Sequence, residues 1–143
     1  MLPREMITRI AAIAILATVA IGCSVRQQAP TFLDSTNGIA YRLGAYNDIL
    51  AVTVQKVDSG KILWKLERDI SFAWGPTRFE KFDYANPPEN MREAIPAQSL
   101  KVGDRVIVEV KYQYDQALAA SVSGIRSEFE VVDANTFKRV AGD

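Results

Sequence analysis

The chain has no histidine, one cysteine, and no surplus of either charge, with 17 Lys+Arg balanced by 17 Asp+Glu in 143 residues. Each shortage removes a class of function. Without histidine there is no ordinary general base near neutral pH, no Ser-His or Cys-His nucleophile pair, and none of the commonest metal ligand. One cysteine cannot form a disulfide within the chain or a zinc site of the Cys/His type. No G-x-x-x-x-G-K phosphate loop and no Asp-rich, Gly-centred calcium loop is present. Dispersed, balanced charge gives no electrostatic footprint for nucleic acid. Cofactors and metals are therefore not expected, and neither is enzymatic activity.

The N-terminus carries the clearest positive signal. Arg4 and Arg9 precede twelve uncharged, mostly apolar residues at positions 10–21, which Gly22-Cys23 closes. A charged start, an apolar run of roughly 7–15 residues and small residues at a cut form a secretory signal peptide. The run is too short to span a bilayer, which takes about 20 apolar residues. Residues 1–22 are thus expected to form a cleaved signal helix. Cutting there removes Arg4, Glu5 and Arg9 and leaves 15 basic and 16 acidic residues.

The motif Ala20-Ile21-Gly22-Cys23 resembles the lipobox of bacterial lipoproteins. The resemblance implies cleavage before Cys23, acylation of its thiol and new amino group, and a lone cysteine that needs no partner. It also implies that Ser24, standing where Asp would resemble an inner-membrane retention signal, directs the chain to the outer membrane, facing the periplasm. More than one acyl chain makes such an anchor stable, because each buried CH₂ contributes about 0.8 kcal/mol. Residues 23–38, polar and broken by Pro30 and Gly38, read as a lipidated tether, within which Phe32-Leu33 either dock on the domain or begin its first strand.

Residues 39–143 follow a period of two. Leu50, Val52 and Val54 alternate with Ala51, Thr53 and Gln55, and Asp58-Ser59-Gly60 turns the chain toward Ile62, Trp64 and Leu66. Ile70, Phe72 and Trp74 continue the alternation. Residues 79–84 read as a short strand, and residues 85–104, with Pro87, Pro88 and Pro96, as a long aperiodic loop. Val106, Val108, Val110, Tyr112 and Tyr114 mark the strongest strand. A closing hairpin turns at Asp133-Ala134-Asn135, with Asn135 suited to a left-handed turn. Seven to eight short strands at roughly 8–12-residue spacing predict an all-β antiparallel sandwich. Trp64 on an early inward face, and the strand from Gly103-Asp104 to Tyr114, resemble immunoglobulin-like and fibronectin-III-like sandwiches. Together with Phe82-Asp83-Tyr84, Ile95-Pro96-Ala97 and the entry Leu100…Gly103-Asp104, they also resemble small envelope lipoproteins. That resemblance implies architecture and no activity.

Two features remain as candidate sites. Glu80 and Asp83 sit near each other, and Glu128 and Glu130 share a strand face that reads as the solvated side of an edge or outer strand rather than the acid–base pair of a glycosidase. Trp74, Phe79, Phe82 and Tyr84 crowd eleven residues next to the proline-rich loop carrying Met91. Trp74, Phe79, Tyr84 and Met91 are the candidate partner or ligand contacts, since exposed aromatics and Met build hot spots and sugar platforms. The expected function is a membrane-tethered, non-enzymatic module contacting another envelope protein. The alternatives are a small-ligand or glycan binder, or a periplasmic inhibitor or immunity protein.

Overall fold

The computed structural model describes residues 29–44, 47–69, 77–114 and 122–140, and among these it contains nine strands and no helix. In chain order the strands are β1 (Thr31–Leu33), β2 (Ile39–Arg42), β3 (Asn47–Lys56), β4 (Ile62–Arg68), β5 (Lys81–Phe82), β6 (Met91–Ile95), β7 (Arg105–Tyr114), β8 (Ser123–Asp133) and β9 (Thr136–Arg139). They form two antiparallel sheets, β1-β2-β5 and β6-β4-β3-β7-β8-β9. The sheets pack as a sandwich because alternate residues of both are apolar and have one place to go. Val52, Val54, Trp64, Leu66, Val106, Val108 and Val110 from the large sheet are fully buried, against Ile39 and Tyr41 from the small one. Phe32 meets Phe129 edge-on at 5.3 Å between centroids, and Trp64 meets Phe82 at 6.0 Å, so aromatic rings from both sheets meet in the core.

The β3–β4 hairpin forms where expected, with Gly60 in the left-handed region at φ 67° and its N–H bonded to Lys56 O at 2.9 Å. Two bulges nevertheless change which residues face inward. Ile49 and Ala51 of β3 lie opposite the consecutive residues Tyr112 and Lys111, so Leu50 is an extra residue. N-terminal to it the parity reverses, burying Ile49 rather than extending the Leu50-Val52-Val54 series. On β4, Trp64 faces Val54 and Ile62 faces Gln55, which leaves Leu63 as the extra residue and turns it inward in place of Ile62.

Three further expectations need correction. Residues 31–33, assigned to the tether, form β1 and pair with β2, and Phe32 is buried. The domain therefore begins ahead of residue 39. Within the long loop at 85–104, β6 runs along β4, and only Met91 of its five residues is buried. A strand with one inward side chain leaves no period to read. Asn135 is not in the left-handed region; among non-glycine residues Ala85 (φ 64°) and Asn90 (φ 67°) are. The stretch at Ile70, Phe72 and Trp74 lies outside the described residues, as do the signal segment and Cys23.

Candidate functional site

Of the residues singled out as contacts, Phe79, Tyr84 and Met91 are used for packing. Met91 is 8% exposed and belongs to the core. Phe79 lies edge-on to Tyr41 at 6.0 Å and to Phe82 at 6.3 Å. Tyr84 packs edge-on to Trp64 at 5.2 Å, and its hydroxyl donates to the Gln98 carbonyl at 2.6 Å. Burial raises the Tyr84 pKa, a hydrogen bond to the Gln98 backbone opposes this, and the negative charge of Glu93 adds to the rise. These three side chains do not form an exposed platform. Trp74, Cys23 and Ser24 lie outside the described residues.

Buried polar groups fall into two sets. Asp48, 2% exposed, pairs with the Arg68 guanidinium and accepts the Thr77 N–H at 2.7 Å. Gln113 adds a donor at 3.4 Å, so one carboxylate ties β3, β4, β7 and the chain entering β5. Every contact of that carboxylate is a structural tie. The Tyr41 hydroxyl, Arg42 Nε and Trp64 Nε1 are buried without a hydrogen-bond partner among the described residues. Burial pushes the Tyr41 phenol far above its ordinary value, and Glu80 pushes it the same way. Such a phenol stays protonated and cannot act as a nucleophile. Among the described residues no group of three Cys, Asp or Glu side chains could hold a metal ion.

A broad concavity lies along β9. It encloses about 1060 Å³ between the β1–β2 loop at 34–36, the outer part of β8 and β9 itself. Its polar lining includes Asp34, Arg126, Glu128, Lys138 and Arg139. Glu128 is engaged by Arg105 at 3.4 Å, and the Arg139 guanidinium donates to Phe32 O at 3.2 Å. Arg126 and Lys138 have no ion-pair partner among the described residues, and with Arg139 they outnumber the cleft's carboxylates, Asp34 and Glu128, although Glu130 stands opposite Lys138 and Glu109 opposite Arg126 in the ladders. The expected solvated role of Glu128 and Glu130 fits their place on the outward face of β8, where Arg105 lies opposite Glu130.

One end of this cleft is fixed by Asn135. Its amide donates to Asp83 Oδ1 at 2.7 Å and to Asn37 Oδ1 at 2.8 Å, and its side-chain oxygen accepts the Tyr84 N–H at 3.2 Å. Its own carbonyl accepts the Gly38 N–H at 2.7 Å, and Gly38 forms a parallel bridge with Thr136. Three separate turns are thereby held by one amide. The sequence marked Asn135 for its backbone, and the structure employs its side chain. Nothing in the period of two pointed to β9 as a cleft wall, because an exposed edge strand has the composition of a loop. No protein-family model, no curated protein and no solved structure matches this chain.

Proposed function

We propose that this chain is a membrane-tethered, non-enzymatic binding module of the bacterial cell envelope, held at the periplasmic face of the outer membrane and acting through protein–protein contacts. The carrying observation is a lone cysteine placed directly after a charged start and a twelve-residue apolar run, in a chain with no histidine. Acylation at Cys23 gives that thiol a role, and Ser24 directs the sorting. Because β1 begins at Thr31, only residues 24–30 separate the anchor from the folded domain. Seven residues reach roughly 25 Å at full extension. A short tether raises effective concentration at the membrane, so modest contacts suffice.

The immunoglobulin-like reading is carried as architecture. Trp64 is buried on an early strand, and the Tyr84 hydroxyl is fixed to backbone, much as a conserved Trp and a corner Tyr are used in such sandwiches. The six-strand sheet departs from their usual division. Packing of Phe79 and Tyr84 against the core takes up part of the surface that a stacked glycan would need. The test is metabolic labelling with palmitate, followed by detergent pull-down after crosslinking in intact cells. Wild type should incorporate label at Cys23 and retain one stoichiometric partner, and Cys23→Ser should lose both label and membrane association. An unmodified thiol on the purified protein rules out the anchor, and repeated recovery of no partner rules out the contact.

A further inference from the structure

The cleft beside β9 identifies how such a module takes hold of its partner; this inference rests on the binding-module reading and specifies its contact. The two sheets have four outer strands, and three of them are blunted. β6 is flanked by Pro88 and Pro96, β1 is preceded by Pro30, and β5 has two residues. Proline near an edge and very short edge strands are the usual means of preventing another chain from pairing. β9 has neither. Its ladder phase is set by the Val140 N–H donating to Glu128 O at 2.9 Å, which makes Glu130–Lys138 the next closely bonded pair. In an antiparallel ladder the intervening residues, Phe137 and Arg139, then direct their backbone groups away from β8. The Gly38–Thr136 bridge occupies the start of that edge. The Phe137 carbonyl and both backbone groups of Arg139 lie beyond it, and no described strand pairs there.

Side chains select what could pair. Lys138 is on the outward face and Arg126 lines the same cleft, both without an ion-pair partner among the described residues, while Glu128 is already engaged by Arg105. A second copy pairing β9 to β9 would bring Lys138 and Arg139 toward their equals, which is unfavourable. We propose that β9 is a strand-addition site for an extended, acidic segment of a partner protein, whose backbone bonds to Phe137 O and Arg139 N–H and whose carboxylates meet Lys138 and Arg126. Backbone pairing supplies affinity in this mode and the alternate side chains supply selectivity.

The full-length chain, ¹⁵N-labelled in detergent micelles, is titrated with an alternating Thr-Glu heptapeptide and with its Thr-Lys counterpart. The acidic peptide should shift the Arg139 amide saturably and slow its hydrogen exchange, and the basic peptide should not. Reversing both cations (Arg126→Glu with Lys138→Glu) should weaken the acidic peptide by roughly fivefold or more and admit the basic one. Arg139→Pro deletes an outward donor without touching the β8 ladder, though it also removes the Arg139–Phe32 bond; it should abolish the acidic peptide's saturable shifts at the neighbouring Lys138 and Val140 amides, with thermal unfolding checking that the fold persists. Equal binding of both peptides overturns the acidic class. Failure of either to protect Arg139, while the pull-down still retains a partner, overturns the strand-addition site and leaves the binding-module reading standing.

Discussion

Replacing Asn135 with alanine should cost about 2–3 kcal/mol of folding stability. The side chain makes three hydrogen bonds, of which the one to Asp83 at 2.7 Å is to a carboxylate and partly buried. Bonds to charged groups contribute about 1.5–3 kcal/mol and neutral ones about 1 kcal/mol. The Tyr84 N–H bond at 3.2 Å is of the second kind, and the Asn37 bond is exposed, where water replaces it at little loss. The expected total corresponds to a fall in Tm of about 10–15 °C for a domain near 100 residues. Urea unfolding followed by tryptophan fluorescence measures it, with an unchanged m-value showing that the exposed surface is the same. Asn135→Asp separates geometry from charge. It keeps the size and the acceptor but loses both donors and sets a second carboxylate beside Asp83. Its deficit relative to Asn135→Ala should be small near pH 3 and grow as pH rises through the carboxylate range, because two adjacent anions repel. A loss below 0.5 kcal/mol for the alanine variant, on the order of a surface substitution, or a pH-independent difference between the two variants, would refute the role given to this amide.

Three other outcomes follow from the same structure. Gly38→Ala places a Cβ 2.6 Å from Phe82 O and 2.7 Å from Asp83 Oδ1 at a φ of 70°, so it should destabilise by about 2 kcal/mol or more, read by the same urea titration. Asp48→Asn keeps an acceptor for Thr77 but removes the buried carboxylate that pairs with Arg68; the expected loss is about 3 kcal/mol, and a double-mutant cycle with Arg68→Met measures how much of it belongs to that pair. Burial raises the folded-state pKa of Tyr41 and Tyr84, so the stability they link to protonation is intact below pH about 10 and is lost as pH rises above it. Absorbance at 295 nm should therefore show Tyr41 titrating only together with unfolding and Tyr84 titrating later than a free phenol, and native-state titration of both at the ordinary phenol pH would contradict their placement.

The parts of this fold legible from sequence are those where burial is one-sided and uninterrupted. β7 declares itself through Val106, Val108, Val110 and Tyr112, and the β3–β4 hairpin through Gly60 and its flanking alternation. The bulges at Leu50 and Leu63 were not legible. An extra residue reverses the inward face without altering composition, so Ile49 and Leu63 enter the core where alternation had placed Leu50 and Ile62. β6 was hidden and β1 only hinted at by Phe32-Leu33 for a related reason: each buries a single side chain, Met91 or Phe32, and one residue has no period. Phe79, Tyr84 and Met91 stand out by type in the sequence, but neighbours distant in sequence decide whether such residues face water. The β9 cleft depends on the 34–36 loop meeting a strand a hundred residues later, a juxtaposition that no local window contains.

That juxtaposition also sets an order of events. Asn135 reaches Asn37 across 98 residues, and Arg139 reaches Phe32 across 107. β1 is thus locked late, since its clasp arrives only with the β8–β9 hairpin. The nascent β1 stays unsealed until β9 has emerged, and contacts of such long separation slow the closure. For a protein proposed to leave the cytoplasm as a thread, late sealing keeps the stretch from β1 to β9 passable until β9 is made.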